Sequence, residues 1–455
     1  MATPKYTYSV SVDPKQNDRA TEIKLFNFSR PHMRGFHLAW MSFFMAFVAW
    51  FAFAPLMPEV RKDLGLTKDE VYTANITSVL STVFSRFLVG PLCDTFGARL
   101  MTTILMFCGA VPTALSGLVN SGATLAVVRF FIGFMGAVFV CTQTWSAALF
   151  AKEIVGTANA ITAGWGNLGG GVAQLFMVAV WNLFKTGMDS ERAWRLSFLV
   201  PAAIVVIIGT LVQVLGDDCP KGNFKDLIAE GNMQRKSSSQ SFKQGYTNIN
   251  SWLMFIQYAT CFGIELTINN VAATYFHDKF GLSTSLSGTI ASLFGLMNLF
   301  ARPCGGVYSD FLFRKFGAGT SGMRGRLYAQ GTSLLVEGIF LILFSRMNNL
   351  GAAIACLILF SLGVQSTEGT SYGIVPYICP EATGAVSGIV GAGGNFGAVC
   401  WGLIFRFGPS AAEDVLMILG IIVCASVLVT PFIKIKGYAS LFGAAEGEPE
   451  TIDTI

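Results

Sequence analysis

Apolar runs of about 20 residues, each long enough to cross a bilayer as a helix, recur along nearly all of this 455-residue chain. Inside lipid every backbone polar group needs an internal partner, which runs of this length obtain as helices. The runs fall near 36–58, 71–93, 100–118, 124–150, 158–184 and 195–216, then near 251–276, 286–307, 326–345, 350–376, 384–406 and 411–433. That pattern predicts an all-α membrane protein of twelve spans, arranged as two pseudo-symmetric six-helix halves. Its expected organisation is a cytosolic N-terminal segment (1–35), an N-terminal half (36–216), a cytosolic central loop (217–250), a C-terminal half (251–433) and a short cytosolic tail (434–455). Composition agrees: 13% of residues are charged, against about 25% in soluble domains.

Basic residues set the orientation. With the N-terminus inside, the cytosolic stretches hold about twice as many Lys and Arg as the outer loops, so both termini are expected in the cytosol. Residues 1–34 carry no apolar core of a signal peptide, which leaves the first span as the targeting signal. The run Arg235-Lys236-Ser237-Ser238-Ser239 reads as a solvated linker, with phosphorylation as the alternative. The ten cysteines lack metal-site or disulfide spacing and read as free thiols.

Two arginines interrupt the apolar pattern at related places. Arg86-x-x-x-Gly90-x-x-x-Asp94 returns as Arg302-x-x-x-Gly306-x-x-x-Asp310. A guanidinium keeps its proton at any relevant pH, and at mid-bilayer it costs roughly 2.5 to 3.5 kcal/mol on insertion scales. The repeat predicts that Arg86 and Arg302 face each other across a central cavity and hold an anion. The alternative pairs each with an intramembrane acid, for which Glu265, Glu337 and Glu368 are available. A second repeat sets Asn167 within Ala163–Gly171 and Asn395 within Gly391–Val399, both glycine-rich. Small residues let helices approach closely, but a buried amide needs partners. Each Asn could donate to an oxyanion or tie helices together. Phe47, Phe139, Tyr258 and Phe262 could wall in a flat ligand. Gly164-x-Gly166-x-x-Gly169 matches a dinucleotide fingerprint only formally, because no strand precedes it. No cofactor, metal cluster, nucleic-acid surface or nucleophile–base pair is indicated, which argues against an enzyme.

The stretch Gly90-Pro91-Leu92-Cys93-Asp94-Thr95-Phe96-Gly97-Ala98-Arg99 resembles the loop signature of the major facilitator superfamily, with 306–315 as a weaker copy. The resemblance implies gating roles for Asp94, Arg99 and Asp310 at the cytosolic face. The two Asn–Gly stretches resemble the paired signatures of its nitrate/nitrite porter family. Pro31-His32-Met33-Arg34, Phe300-Ala301-Arg302-Pro303 and Gly263-Ile264-Glu265-Leu266-Thr267 are similar to eukaryotic high-affinity nitrate transporters. The family implies that Arg86 and Arg302 bind nitrate, with nitrite as a second substrate. It also implies aromatic walls, and places Gly164 and Gly393 of the signatures at the same site. Further implied are a plasma-membrane location, contact with lipid, alternating access and proton symport, for which Glu265 and Glu368 are candidate carriers. A small accessory membrane protein is a candidate partner, although the long polar tail and large central loop of some members are missing. The chemistry is compatible, because planar nitrate suits a bidentate guanidinium fork. An inside-negative potential opposes its entry by about 2.3 kcal/mol per charge per 100 mV, so uptake needs at least two cations per nitrate. Nitrate/nitrite exchange, carriage of another small anion, and a non-transporting sensor remain alternatives.

Overall fold

The computed structural model describes residues 7–446 except 234–236, 283 and 410. A short hairpin, β1 (Val12–Asp13) with β2 (Arg19–Ala20), precedes eighteen helices. The first nine are α1 (His32–Trp50), α2 (Phe53–Leu64), α3 (Lys68–Phe96), α4 (Ala98–Leu115), α5 (Gly122–Gly133), α6 (Val138–Leu149), α7 (Val155–Lys185), α8 (Ser190–Ser197) and α9 (Leu199–Leu215). Two short helices follow, α10 (Phe224–Ala229) and α11 (Ser238–Thr247). The remainder are α12 (Ile249–Phe280), α13 (Thr284–Leu296), α14 (Ala301–Lys315), α15 (Gly319–Arg346), α16 (Leu350–Ile378), α17 (Thr383–Phe407) and α18 (Ala412–Ser426).

Among the described residues, eleven stretches are long and apolar enough to cross a membrane, one fewer than the hydropathy of the sequence suggests. The missing one is α12. Gln257, Glu265 and Thr267 are among the polar residues that dilute its hydropathy, and all three are buried inside the bundle. At 32 residues it is about 48 Å long, ample for a bilayer.

Local chemistry explains several boundaries. Thr67 and Glu70 form a reciprocal cap at the start of α3, satisfying N–H groups that have no partner in the first turn. Asn349 caps α16. Two expectations change. The superfamily-like signature at 90–99 and its copy at 306–315 do not lie in loops, since both Asp94 and Asp310 sit within the last turns of α3 and α14. The central stretch also contains α10 and α11 in place of a plain linker, although Arg235 and Lys236 lie outside the described residues.

Glycines bring the bundle together on the face that holds the N-terminal segment. A Cβ on Gly384 would collide with Gly90 O, and one on Gly388 with Arg86 O, so α3 and α17 touch backbone to backbone. At the related crossing of α7 and α14, a Cβ on Gly306 would sit 2.5 Å from Gly156 O. Larger side chains there would force the helices apart.

Candidate substrate site

Arg86 and Arg302 are both fully buried, and both face the ring of Phe139. Their Cζ atoms lie 4.8 and 5.5 Å from its centroid, which puts the guanidinium groups at most about 10 Å apart. The R-x-x-x-G spacing sets each arginine one turn from a glycine that lets a neighbouring helix close over it. Phe262 stacks nearly parallel to Phe139 at 6.2 Å, Tyr258 does so at the same distance, and Tyr372 stands edge-on at 4.9 Å. Arginine over an aromatic face is attractive when both are desolvated.

The two guanidinium groups are compensated unequally. Arg302 makes an ion pair with Glu368 and donates from Nη2 to Tyr258 Oη at 2.8 Å. Arg86 donates to the carbonyls of Gly136 (3.2 Å) and Gly391 (2.6 Å), while its Nη2 has no partner. Among the described residues no carboxylate pairs with it. The expected alternative of arginine–acid pairing is thus realised at one arginine and not at the other. Two cations meet at one aromatic cluster, Arg302 paired with Glu368 and Arg86 with no carboxylate among the described residues. A buried unpaired charge is strongly unfavourable, and an anion beside Arg86 would relieve it.

Asn167 and Asn395 are buried, and neither Nδ2 nor Oδ1 of either has a hydrogen-bond partner. An amide serving to tie helices together would be satisfied by the other helix. Glu265 accepts from Asn298 Nδ2 at 2.7 Å and lies beside Glu368. Glu337 on α15 is also buried, with no partner for either oxygen.

Three expected residues lie beside the cluster through packing. Phe47 packs on Phe43, Trp50 and Phe51, and it is Phe43, one turn earlier on α1, that meets Phe139 at 5.4 Å. Gly164 lies against Arg302 Cβ and Asn298 O, so it lets α7 approach the start of α14. Gly393 faces Phe255 of α12. Both glycines act through backbone approach and carry no polar contact to the cluster. Tyr372, Phe43 and Asn298 are absent from the sequence-level set. For Tyr372 a signal existed, since it lies four residues after Glu368 and therefore on the same helix face.

A family model for the major facilitator superfamily matches residues 39–402. High affinity nitrate transporter 2.5 of Arabidopsis thaliana is 39% identical over 90% of this chain and 80% of its own length. Nitrate transporter 2.2 of Chlamydomonas reinhardtii is 38% identical over 99% of this chain and 88% of its own. The nitrate/nitrite transporter NrtP of Nostoc punctiforme is 28% identical over 93% and 96%. Among solved structures, the proton:xylose symporter XylE covers 92% of this chain and 98% of its own at a TM-score of 0.66 and 12% identity. The chain belongs to the major facilitator superfamily. Within it, the chain falls in the nitrate/nitrite porter family, and it is a multi-pass membrane protein of a transporter family.

The aspartates of the two signature copies form a matched pair of helix caps between the halves. Asp94, at the end of α3, accepts from Gly384 N (2.8 Å), Ala385 N (2.9 Å) and Ser241 Oγ. It therefore caps the first turn of α17, where the helix dipole favours a negative charge. Asp310, at the end of α14, accepts from both N and Oγ1 of Thr157 at 2.6 Å and pairs with Arg326, capping α7 in the same way. Arg99 donates to Gln213 O at 2.6 Å and lies 3.8 Å from Asp218, tying α4 to α9 and the start of the central stretch. Arg326 pairs with Asp310, a contact invisible from its place sixteen residues further on.

Proposed function

We propose that this chain carries nitrate, with nitrite as a second substrate, across the plasma membrane by alternating access. Both termini lie in the cytosol. Residues 36–216 and 251–433 form halves of six crossings each, joined by 217–250, and they rock about the Arg86–Arg302 site. The observation that carries this reading is the pair of buried guanidinium groups at Phe139, of which Arg302 is paired with Glu368 and Arg86 has no carboxylate among the described residues. The names borne by the plant and algal relatives support the choice of anion. Asp94 and Asp310 are the latch that holds the cytosolic side shut.

The ion pair supplies a coupling device. Glu368 and an incoming anion compete for the same guanidinium, so a proton on Glu368 releases Arg302 to bind nitrate. Glu265 is the second proton carrier, which meets the need for at least two cations per nitrate against the membrane potential. Bilayer lipid and protons are the only partners this scheme requires, and an accessory membrane protein is left out of it.

Nitrate flux into proteoliposomes holding the chain alone, with and without an imposed pH gradient, tests the reading. Wild type is expected to accumulate nitrate when the outside is acidic. Arg302→Lys keeps the charge but loses the planar fork and is expected to lower the rate by about 100-fold or more, or about 2.7 kcal/mol. Unchanged flux in Arg302→Lys would refute recognition by the fork. Flux that needs nitrite inside and ignores pH would replace symport with exchange.

A further inference from the structure

The N-terminal segment does more than lead into α1. Ala20 of β2 accepts from Ala151 N at 2.8 Å, and Gln16 donates to both oxygens of Glu153 while accepting from Lys152 N. Lys221 Nζ donates to Asn17 Oδ1, and Arg30 is paired with Asp217. These contacts seat β2 across the mouth of the bundle between the α6–α7 connection and the start of the central stretch. Behind it lies a cavity of about 70 Å³ lined by Arg19, Cys93, Asp94, Lys152, Asp218 and Thr383. One water needs roughly 10 to 15 Å³ on the same measure, so a four-atom anion with a water or two fits. Asp94 is eight residues from Arg86 on α3, which sets the cavity about 12 Å along the axis from the arginine site.

The charges around this cavity are unevenly used. Asp94 is occupied by the α17 N-terminus and Ser241. Asp218 accepts from Arg99 N and Phe224 N, with the Arg99 guanidinium beside it. Arg19 and Lys152 are the cations left over. Arg19 Nε is buried without a partner, and no carboxylate pairs with Arg19 among the described residues. Lys152 Nζ donates to Tyr438 Oη at 3.1 Å and lies over the Tyr377 and Tyr438 rings. Burial pushes the Arg19 guanidinium down to about 10, and burial followed by the charge of Arg19 lowers Lys152. Both cations would gain from an anion between them.

We infer that the cavity between Arg19 and Lys152 is a second anion station, filled from the cytosolic side by the same class of small monovalent oxyanion that the central site takes. The inference rests on the carrier reading above. In it, an anion leaving the arginine pair meets Arg19 and Lys152 next. Anion returning from the cytosol fastens β2 across the mouth and holds the cytosolic side closed. Cytosolic nitrate thereby slows its own uptake.

Two measurements on the full chain test this. In oriented proteoliposomes, nitrate on the cytosolic side is expected to inhibit wild-type uptake. Arg19→Gln and Lys152→Gln should each raise the half-inhibitory concentration by about fivefold or more, and Arg19→Lys should stay near wild type. Unchanged inhibition in both Gln variants overturns the station. Calorimetric titration with nitrate needs no transport and covers the case where a variant reconstitutes poorly. Two sites are expected in wild type, the tighter lost in Arg302→Lys and the weaker in Arg19→Gln. A single site lost only in Arg302→Lys overturns the station and leaves the carrier reading intact. A single site lost only in Arg19→Gln overturns the central site instead.

Discussion

Glu368→Gln isolates the competition on which the coupling scheme turns. In the structure Glu368 is fully buried, paired with Arg302, and has a second oxygen without a partner. Glutamine keeps the shape and a hydrogen-bond acceptor while removing the charge, so it stands in for the protonated acid. An anion on the free side of the Arg302 guanidinium would sit about 6 Å from the carboxylate. At an effective dielectric constant near 20 the repulsion removed is about 2 to 3 kcal/mol. Removing the acid also leaves Arg302 buried without its counter-charge, an unfavourable state that a bound anion relieves, so both effects act in one direction. Nitrate should bind Glu368→Gln about 30- to 150-fold more tightly at neutral pH, with an affinity that varies less with pH. Accumulation driven by a pH gradient should weaken, because one of the two proposed proton carriers has been removed. The assay is nitrate titration from pH 5 to 8, followed by flux with an imposed gradient. Weaker or unchanged binding, or proton-driven accumulation equal to that of wild type, would refute the reasoning.

Three further outcomes follow from named contacts. Asn167→Ala and Asn395→Ala should each weaken nitrate binding by about 1 kcal/mol, the worth of a neutral hydrogen bond. Neither should lower the nitrate-free melting temperature, since neither amide has a protein partner; a fall in that temperature would mark them as ties between helices. Asp94→Asn removes a charge that two N–H groups and a hydroxyl solvate. It should shift the population toward the cytosol-open state by about 1 to 3 kcal/mol, read as faster thiol labelling of a cysteine placed in the cytosolic cavity. Burial raises Asp218 to about 6 from the usual 3.8, against the lowering effect of Arg99. The folded state therefore binds its proton more tightly than the unfolded chain, so the stability it contributes is present below pH 4 and lost as pH rises toward 6. Asp218→Asn should flatten the melting temperature between pH 4 and 6 by the equivalent of about 3 kcal/mol, and an unchanged slope would exclude Asp218 as its source.

The residues that could be read from sequence are those whose signal is local or repeated. Arg86 and Arg302 stand out because an apolar run makes a charge conspicuous, and duplication relates one to the other. Asn167 and Asn395 stand out for the same reason within glycine-rich helices. Asp94 and Asp310 follow from the phrase they share with the arginines. What escaped depends on contacts between distant parts of the chain. Glu368 is 66 residues from Arg302, and nothing in either neighbourhood states that this acid pairs with that arginine. Phe43 and Phe47 lie one turn apart on α1, so a choice between them needs the angle at which α1 meets α6. Arg99 turns toward Gln213 and Asp218 because α4 packs beside α9, a packing no short motif encodes. The N-terminal segment reads as a polar leader by composition, yet its hydrogen bonds to Ala151, Lys152 and Glu153 fold it onto the bundle. Helix α12 is legible as an apolar run in the sequence, although Gln257, Glu265 and Thr267 dilute its hydropathy.

The central claim is that Arg86 is a buried cation that no carboxylate pairs with among the described residues, and that nitrate is its counter-ion. Equilibrium nitrate binding to purified Arg86→Gln, in detergent and without any gradient, addresses this most directly. The account predicts that affinity falls by about 100-fold or more while the protein melts no earlier than wild type, because a buried uncompensated cation has been removed. Binding within about threefold of wild type would show that the charge at Arg86 is answered elsewhere, and the assignment of the site would fail.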